Sequence, residues 1–399
     1  MTPYIVMIIA VIMLMWWDKG RNLPKPFGLS AFFVYLIFAL RNKNVGNDTE
    51  SYVKCWNDPH FYYRGEPTDI GFETLLRFFH IFGSSNVYFF VFIAVVMLAG
   101  VYYFINKNSK YRVDSIFFFC TAGTVFIFML SYICALRQAV AMSFYLFGLT
   151  LYFAEKATKK QKYLAWALVL AAISIHGSCA IVIPVMLLLP FLKLNKWTVT
   201  IVIGVTYIFG ALGIFQLSSL LTLIDLGGSD MEKYQGYTNE MTFGQTENVG
   251  IFNFFLLPYS LILIYLAWFK SKKDLNDWTF KYVFIGVVLT NLMVDNLMWG
   301  RLLLYFIIVS IVVFPNMMRT ADFKYKNIVY LVIIIFFVRK IVTGLAYSAQ
   351  LSIMKFYNTE VPYETWLISG GAISILLHFY RRYLLRVEQH KTYCLCCLH

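Results

Sequence analysis

The chain has 399 residues, of which 60% are hydrophobic, 19% aromatic and only 14% charged, and its mean hydropathy is +0.66. These values exclude an ordinary soluble domain and describe a polytopic membrane protein. The formal net charge of +13 would point to nucleic acid on a soluble surface, but membrane proteins collect Lys and Arg in cytoplasmic loops, so its distribution decides its meaning.

The first stretch, "MTPYIVMIIAVIMLMWWDKG", has no basic n-region and no small-residue cleavage site. It is expected to be the first span and not a removable signal peptide. A span needs about 20 apolar residues, fewer where helices break or the bilayer thins. The candidates are then 2 to 17, 27 to 40, 86 to 105, 115 to 134, 138 to 154, 163 to 176, 178 to 192, 197 to 215, 251 to 269, 278 to 294, 301 to 314, 328 to 346 and 363 to 380. The expected fold is therefore all-α, a polytopic helical bundle of about thirteen transmembrane helices. Residues 1 to 399 form a single transmembrane domain, ending in a tail at 381 to 399.

If every candidate crosses, the basic loops "DKGRNLPKP", "NKNSKYRVD", "EKATKKQK", "KLNK", "KSKKDLND" and "PNMMRTADFKYKN" and the tail all fall on one side. That side is cytoplasmic by the positive-inside rule, so the N-terminus is expected outside and the C-terminus inside. The other side receives the long segments 41 to 85 and 216 to 250, the shorter 347 to 362, and most of the acids. The charge thus marks topology, and no nucleic-acid partner is expected.

The seven cysteines do not form the two CxxC motifs of a zinc site, and their odd number argues against a closed disulfide framework. No metal site is expected. No repeat of fixed period and no inverted pair of Gly/Pro-broken helices stands out, which weighs against a carrier.

Several ionisable groups share the outer depth band: Asp48 and Tyr52 of "GNDTESY", Arg137 beside Gln138 in "LRQAVAMS", His176 of "ISIHGSCAIVIP", Asp295 and Arg301 of "VDNLMWGRLLLYF", and Arg339 of "FFVRKIVTG". Ionisable groups within spans cost about 2.5 to 3.5 kcal/mol each on insertion scales, so their collection on one side calls for a functional reading. Each has a bland alternative: a snorkelling arginine, a structural histidine at a bend, a helix-capping aspartate, a simple Asp295–Arg301 ion pair. Arginines suit phosphate oxygens because they offer planar paired donors at any accessible pH. A carboxylate or imidazole nearby takes the proton of an incoming hydroxyl. The outer aromatics Tyr52, Trp56, Tyr62, Tyr63, Tyr234 and Tyr237, interleaved with Asp58, Glu66, Asp69 and Glu73, suit pyranose rings, or serve as an interfacial belt.

The order of motifs resembles the EpsG branch of the Wzy-type polysaccharide polymerases, bacterial inner-membrane proteins of O-antigen, capsule and exopolysaccharide synthesis. It runs from Arg41, Asn42, Gly46, Asp48 and Tyr52 through "DIGFE" (Asp69 to Glu73) and "LRQAVAMS" (Leu136 to Ser143). A basic "KATKKQK" loop, "ISIHGSCAIVIP" (Ile173 to Pro184), "GRLLLYF" (Gly300 to Phe306) and "VPY" (Val361 to Tyr363) follow. It is firmest from Arg41 to Pro190, and Asp69 and Phe72 stand where the family commonly has Glu and Tyr.

The resemblance implies a GT-C-like architecture and metal-independent, cofactor-free transfer of a growing glycan at the periplasmic face. The glycan leaves undecaprenyl pyrophosphate for the next lipid-linked repeat unit. On this basis Arg137, Arg301, Arg339 and Arg41 are expected to hold pyrophosphate, and Asp48 and His176 compete for the general base. Gln138, Tyr52, Asp69, Glu73, Asp295 and Tyr305 are expected to contact substrate. The implied partners are undecaprenyl-pyrophosphate-linked oligosaccharides, the lipid bilayer, a flippase and a chain-length regulator. A different lipid-linked-sugar transferase, an O-antigen ligase or a lipid-linked oligosaccharide flippase are the alternatives.

Overall fold

The structure, a computed structural model, describes residues 2–43, 45–46, 48–63, 68–122, 128–212, 257–293, 297–319, 327–328 and 330–335. Among them the regular structure is helical. The order is α1 (Thr2–Asp18), α2 (Pro24–Ala39), α3 (Thr49–Asn57), α4 (Ile70–His80), α5 (Asn86–Asn108), α6 (Arg112–Thr121), α7 (Phe128–Cys134), α8 (Leu136–Tyr152) and α9 (Lys159–Ile175). A 3-10 turn (Gly177–Ile181), α10 (Val182–Leu188), a second 3-10 turn (Leu189–Phe191) and α11 (Lys196–Ala211) follow. After residue 256 come α12 (Leu257–Phe269), α13 (Lys272–Leu275), α14 (Trp278–Leu292), α15 (Leu297–Ile307) and α16 (Ser310–Met318).

Local chemistry sets the boundaries. Pro24 opens α2, where its missing N–H is no loss. Thr158 and Gln161 form a reciprocal capping box that starts α9, and Ser85 accepts from Val87 N to start α5. The turn between α1 and α2 is held by the buried Asp18 carboxylate, which accepts from Leu23 N at 2.6 Å and Asn22 N at 3.2 Å.

The expected spans and the helices agree closely for α1, α2, α5, α8 and α9, but several spans are interrupted. The segment 115 to 134 comes as α6 and α7, 178 to 192 as α10 between two 3-10 turns, and 301 to 314 as α15 and α16. Among the described residues one helix, Asn86–Asn108 with 23 residues, is long and apolar enough to cross a membrane alone. Pro3–Asp18, Pro24–Ala39, Gly177–Phe191, Lys196–Ala211, Leu257–Phe269 and Trp278–Leu292 are apolar but shorter. At a rise of about 1.5 Å per residue they fall short of a 30 Å hydrocarbon layer. The candidate span 363 to 380, most of 328 to 346, the segments 216 to 250 and 347 to 362 and the tail lie outside the described residues.

Small residues set the closest packing. Gly100 of α5 lies so near the backbone of Ser143 in α8 that a Cβ would overlap the Ser143 carbonyl, and Gly100 N donates to Ser143 Oγ at 2.7 Å. Such contacts let helices meet backbone to backbone where no hydrophobic effect drives them together. A continuous apolar core joins α1, α2, α5, α6, α8, α14, α15 and α16.

The two ends of the bundle carry different chemistry. At one end Arg112 donates to the Asn22 carbonyl at 2.6 Å and to Asn106 Oδ1 at 2.7 Å, and Arg319 Nε meets Asp114 Oδ1 at 2.8 Å. Tyr330 also donates to Asp114 Oδ1, at 2.6 Å. The other end holds α3, α4 and the start of α8.

Candidate functional site

The described residues between Arg41 and Ser85 fold over the end of the bundle where α2 and α9 finish and α5 and α8 begin. Arg41, expected as a further phosphate contact, is 1% exposed. Its guanidinium donates to the Ile133 carbonyl at 2.9 Å and lies over the rings of Phe38 and Phe90, so it ties the loop to the last turn of α7. A long side chain at a helix end can turn inward as readily as outward, and sequence does not say which.

Asp48 stands at the N-terminus of α3, half-buried, and its carbonyl accepts from Tyr52 N at 3.1 Å. Asp48 and Tyr52 are thus one turn apart on the same helix face. The Tyr52 ring stacks on Tyr63 at 4.6 Å and meets the edge of Phe72 at 5.8 Å. Burial pushes its phenol above the usual tyrosine range, while the Arg137 charge pulls it back.

Arg137 is the centre of this group. It lies in the first turn of α8, just after the break at Ala135. Its Nη1 reaches Asp69 Oδ2 at 2.9 Å, its Nε is 3.4 Å from Tyr52 Oη, and its Cζ sits 4.7 Å from the Tyr63 ring centroid. Tyr63 was legible only as one of several loop aromatics. Its place under the guanidinium depends on the chain reversal at Phe61, whose φ is +55°, and no periodicity shows that. The first N–H groups of α8 add the positive end of a helix dipole to the arginine charge. A carboxylate, a hydroxyl and a ring hold the guanidinium in a fixed direction at the mouth of the bundle, a geometry suited to phosphate oxygens.

Gln138 is 4% exposed, buried beside Arg137. Glu73 is one turn beyond Asp69 on α4 and engages Arg77, with Oε1 at 2.6 Å from Nη2 and 2.8 Å from Nε. Cys55, which the sequence did not single out, donates its thiol to the Phe61 carbonyl at 2.9 Å. Burial raises its pKa to about 12 against a lowering by Arg137.

His176 ends α9. Its N–H donates to the Ala172 carbonyl and its carbonyl accepts from Cys179 N, each at 2.9 Å, and its backbone is extended at φ −155°, ψ 105°. Two contacts place this break, one beside the Asp69 end of α4 and one against α15. Gly71, two residues after Asp69, abuts Ser174, two residues before His176, and a Cβ at Gly71 would overlap Ser174. Ser178, two residues after His176, is hydrogen-bonded to Tyr305 Oη at 3.2 Å.

Tyr305 is fully buried, and its carbonyl accepts from Tyr145 Oη at 3.2 Å, while Tyr145 also donates to Tyr282. Of this cluster the sequence singled out Tyr305 alone, as an expected substrate contact; Tyr145 and Tyr282 read there as ordinary apolar-run aromatics. Arg301 lies one turn before Tyr305 on α15. Its side chain, like Asp295 and Arg339, falls outside the described residues.

A model of the EpsG family matches residues 26–365, a stretch that includes every residue of this cluster. No curated protein and no solved structure matches the chain. The matched region and the apolar helical architecture agree on one assignment: the chain belongs to the EpsG family, polymerase-like membrane proteins of polysaccharide biosynthesis.

Proposed function

We propose that this protein is a repeat-unit polymerase of the Wzy type, working at the periplasmic face of the bacterial inner membrane with a GT-C-like architecture. The observation that carries the reading is the presentation of Arg137 at the N-terminus of α8 by Asp69, Tyr52 and Tyr63. The bundle crosses about thirteen times, with the N-terminus periplasmic and the C-terminus cytoplasmic, because that threading puts the basic loops inside.

The donor is a glycan on undecaprenyl pyrophosphate, and the acceptor is the next lipid-linked repeat unit. The bond between the anomeric carbon and the pyrophosphate oxygen breaks, and one forms to the acceptor hydroxyl at its non-reducing end. The hydroxyl proton passes to Asp48 or His176. The leaving pyrophosphate takes the electron pair, and Arg137 with Arg301 and Arg339 neutralises its charge, so no metal is needed. In this scheme Asp69 holds the guanidinium until phosphate oxygens replace it, and Tyr63, Tyr52 and Glu73 line the glycan path. Gln138 and Tyr305 support the site from within the bundle, Asp295 contacts substrate, and Arg41 keeps the loop in register with the site. A flippase supplying the lipid-linked units and a chain-length regulator are the expected partners.

The test is a gel of lipid-linked glycan from a polymerase-null strain complemented with wild type, Arg137→Ala, His176→Ala or Asp48→Ala, with membrane levels matched. A ladder from wild type that collapses to a single unit in Arg137→Ala supports the reading. A full ladder from well-expressed Arg137→Ala sinks it, and of His176 and Asp48 the one whose loss abolishes the ladder more completely is the base.

A further inference from the structure

We propose that α4 is an interfacial helix whose exposed stripe seats in the outer leaflet of the bilayer, at the boundary of headgroups and acyl chains, while its N-terminus delivers Asp69 to Arg137. This goes beyond the polymerase reading and rests on it only for the orientation of the bundle.

The two helices of the same loop face different solvents. On α3 the outward positions are Glu50, Lys54 and Asn57, a polar row at i, i+4 and i+7. On α4 and its continuation the outward row is Ile70, Thr74, Arg77, Phe78 and Ile81, with Phe82 beside it. Ile70 is 75% exposed, Phe78 55% and Ile81 78%, whereas Phe72, Leu76 and Phe79 on the opposite face are buried. Such side chains gain free energy on leaving water, and the acyl boundary supplies that burial.

The polar members of the row are already satisfied within the chain. Thr74 Oγ1 donates to the Ile70 carbonyl at 2.7 Å. Arg77 is paired with Glu73 and lies over the Phe61 ring at 5.1 Å. A face whose polar groups have partners within the chain tolerates the headgroup boundary, and an arginine at its edge can reach headgroup phosphates.

The row is also continuous with a membrane-crossing surface. Phe78 meets Phe82, which meets Phe92 of α5 at 5.0 Å, and Tyr88 stacks near the same ring at 6.1 Å. The link is a sharp turn at Gly83, with φ +147°, where a Cβ would overlap the Tyr88 ring. Since α5 is long and apolar enough to cross, its first turns fix α4 at the depth of the outer aromatic belt.

The experiment places the photoprobe benzoylphenylalanine at position 70, 78 or 81 of the full chain in inner-membrane vesicles carrying acyl-tritiated phospholipid. Position 95, half-exposed on α5, serves as lipid control and position 54 on α3 as water control. Lipid crosslinking at 70, 78 and 81 is expected within about threefold of position 95 and on the order of tenfold above position 54, as for any interfacial helix. Yields at the level of position 54 overturn the proposal. The readout needs no glycan, so failure of the seating and failure of the polymerase reading are told apart.

Discussion

Arg137 Nη1 and Asp69 Oδ2 meet at 2.9 Å, joining the first turn of α8 to the residue that precedes α4. Their side chains keep 23% and 35% of their exposure, so water screens the pair and its contribution to stability is about 1 kcal/mol or less. Its effect is directional instead. Asp69→Asn is expected to leave the thermal midpoint in detergent near that of wild type, while repeat-unit polymerisation falls on the order of tenfold because the guanidinium loses its aim. A melt and a glycan gel on the same preparations check both halves, and a large drop in midpoint would contradict the screened pair.

Arg137→Lys separates charge from shape. Lysine keeps the positive charge, but it has one ammonium in place of a planar fork that spans Asp69, Tyr52 and the Tyr63 ring. If the fork matters, polymerisation drops on the order of 10²-fold, as when a preorganised charge-stabilising donor is removed. Near-normal ladders from Arg137→Lys would mean that a point charge suffices.

Cys55 offers a chemical probe of the loop's packing. Its thiol is buried against the Phe61 carbonyl, and burial raises its pKa to about 12 despite the neighbouring Arg137. Because the thiolate is the reactive form, alkylation of Cys55 should remain slow from neutral pH through 10 in folded protein and accelerate only toward the raised value. Mass spectrometry of the Cys55 peptide after a maleimide pulse gives the rate. Fast labelling at pH 8 would show the loop open.

At the far end of the bundle, Asp114 is fully buried and Arg319 mostly so. Arg319→Ala leaves a buried carboxylate beside the Tyr330 hydroxyl without its cation and should destabilise by about 3 kcal/mol. Replacing both partners, Asp114→Leu with Arg319→Met, should recover most of that loss, because no charge is then stranded. Thermal unfolding of the three proteins in one detergent decides it.

Much of the cluster was legible because local spacing carries it: Asp48 and Tyr52 lie one helical turn apart, and a histidine flanked by glycine and serine marks a helix break. Asp69 was legible only through its motif, since nothing in the sequence brings it to a residue 68 positions away. The interruptions of α6 and α7 and of α15 and α16 were not legible. Hydropathy sums over a window and does not register where the backbone leaves the helix. Glu73 reads as a free carboxylate until α4 is seen to supply Arg77 on the next turn.

The backbone contact of Gly100 with Ser143 has a consequence for how the protein changes over time. It fastens α8 to the longest of the described helices, so the arginine that would meet every substrate's invariant part stands on a firmly packed element. The aromatic and acidic side chains around it arrive on a surface segment with its own small helices. Relatives that handle other sugars can therefore diverge in residues 41 to 85 while leaving Arg137 untouched, and grafting that segment between two such relatives is where an exchange of glycan preference should first be sought.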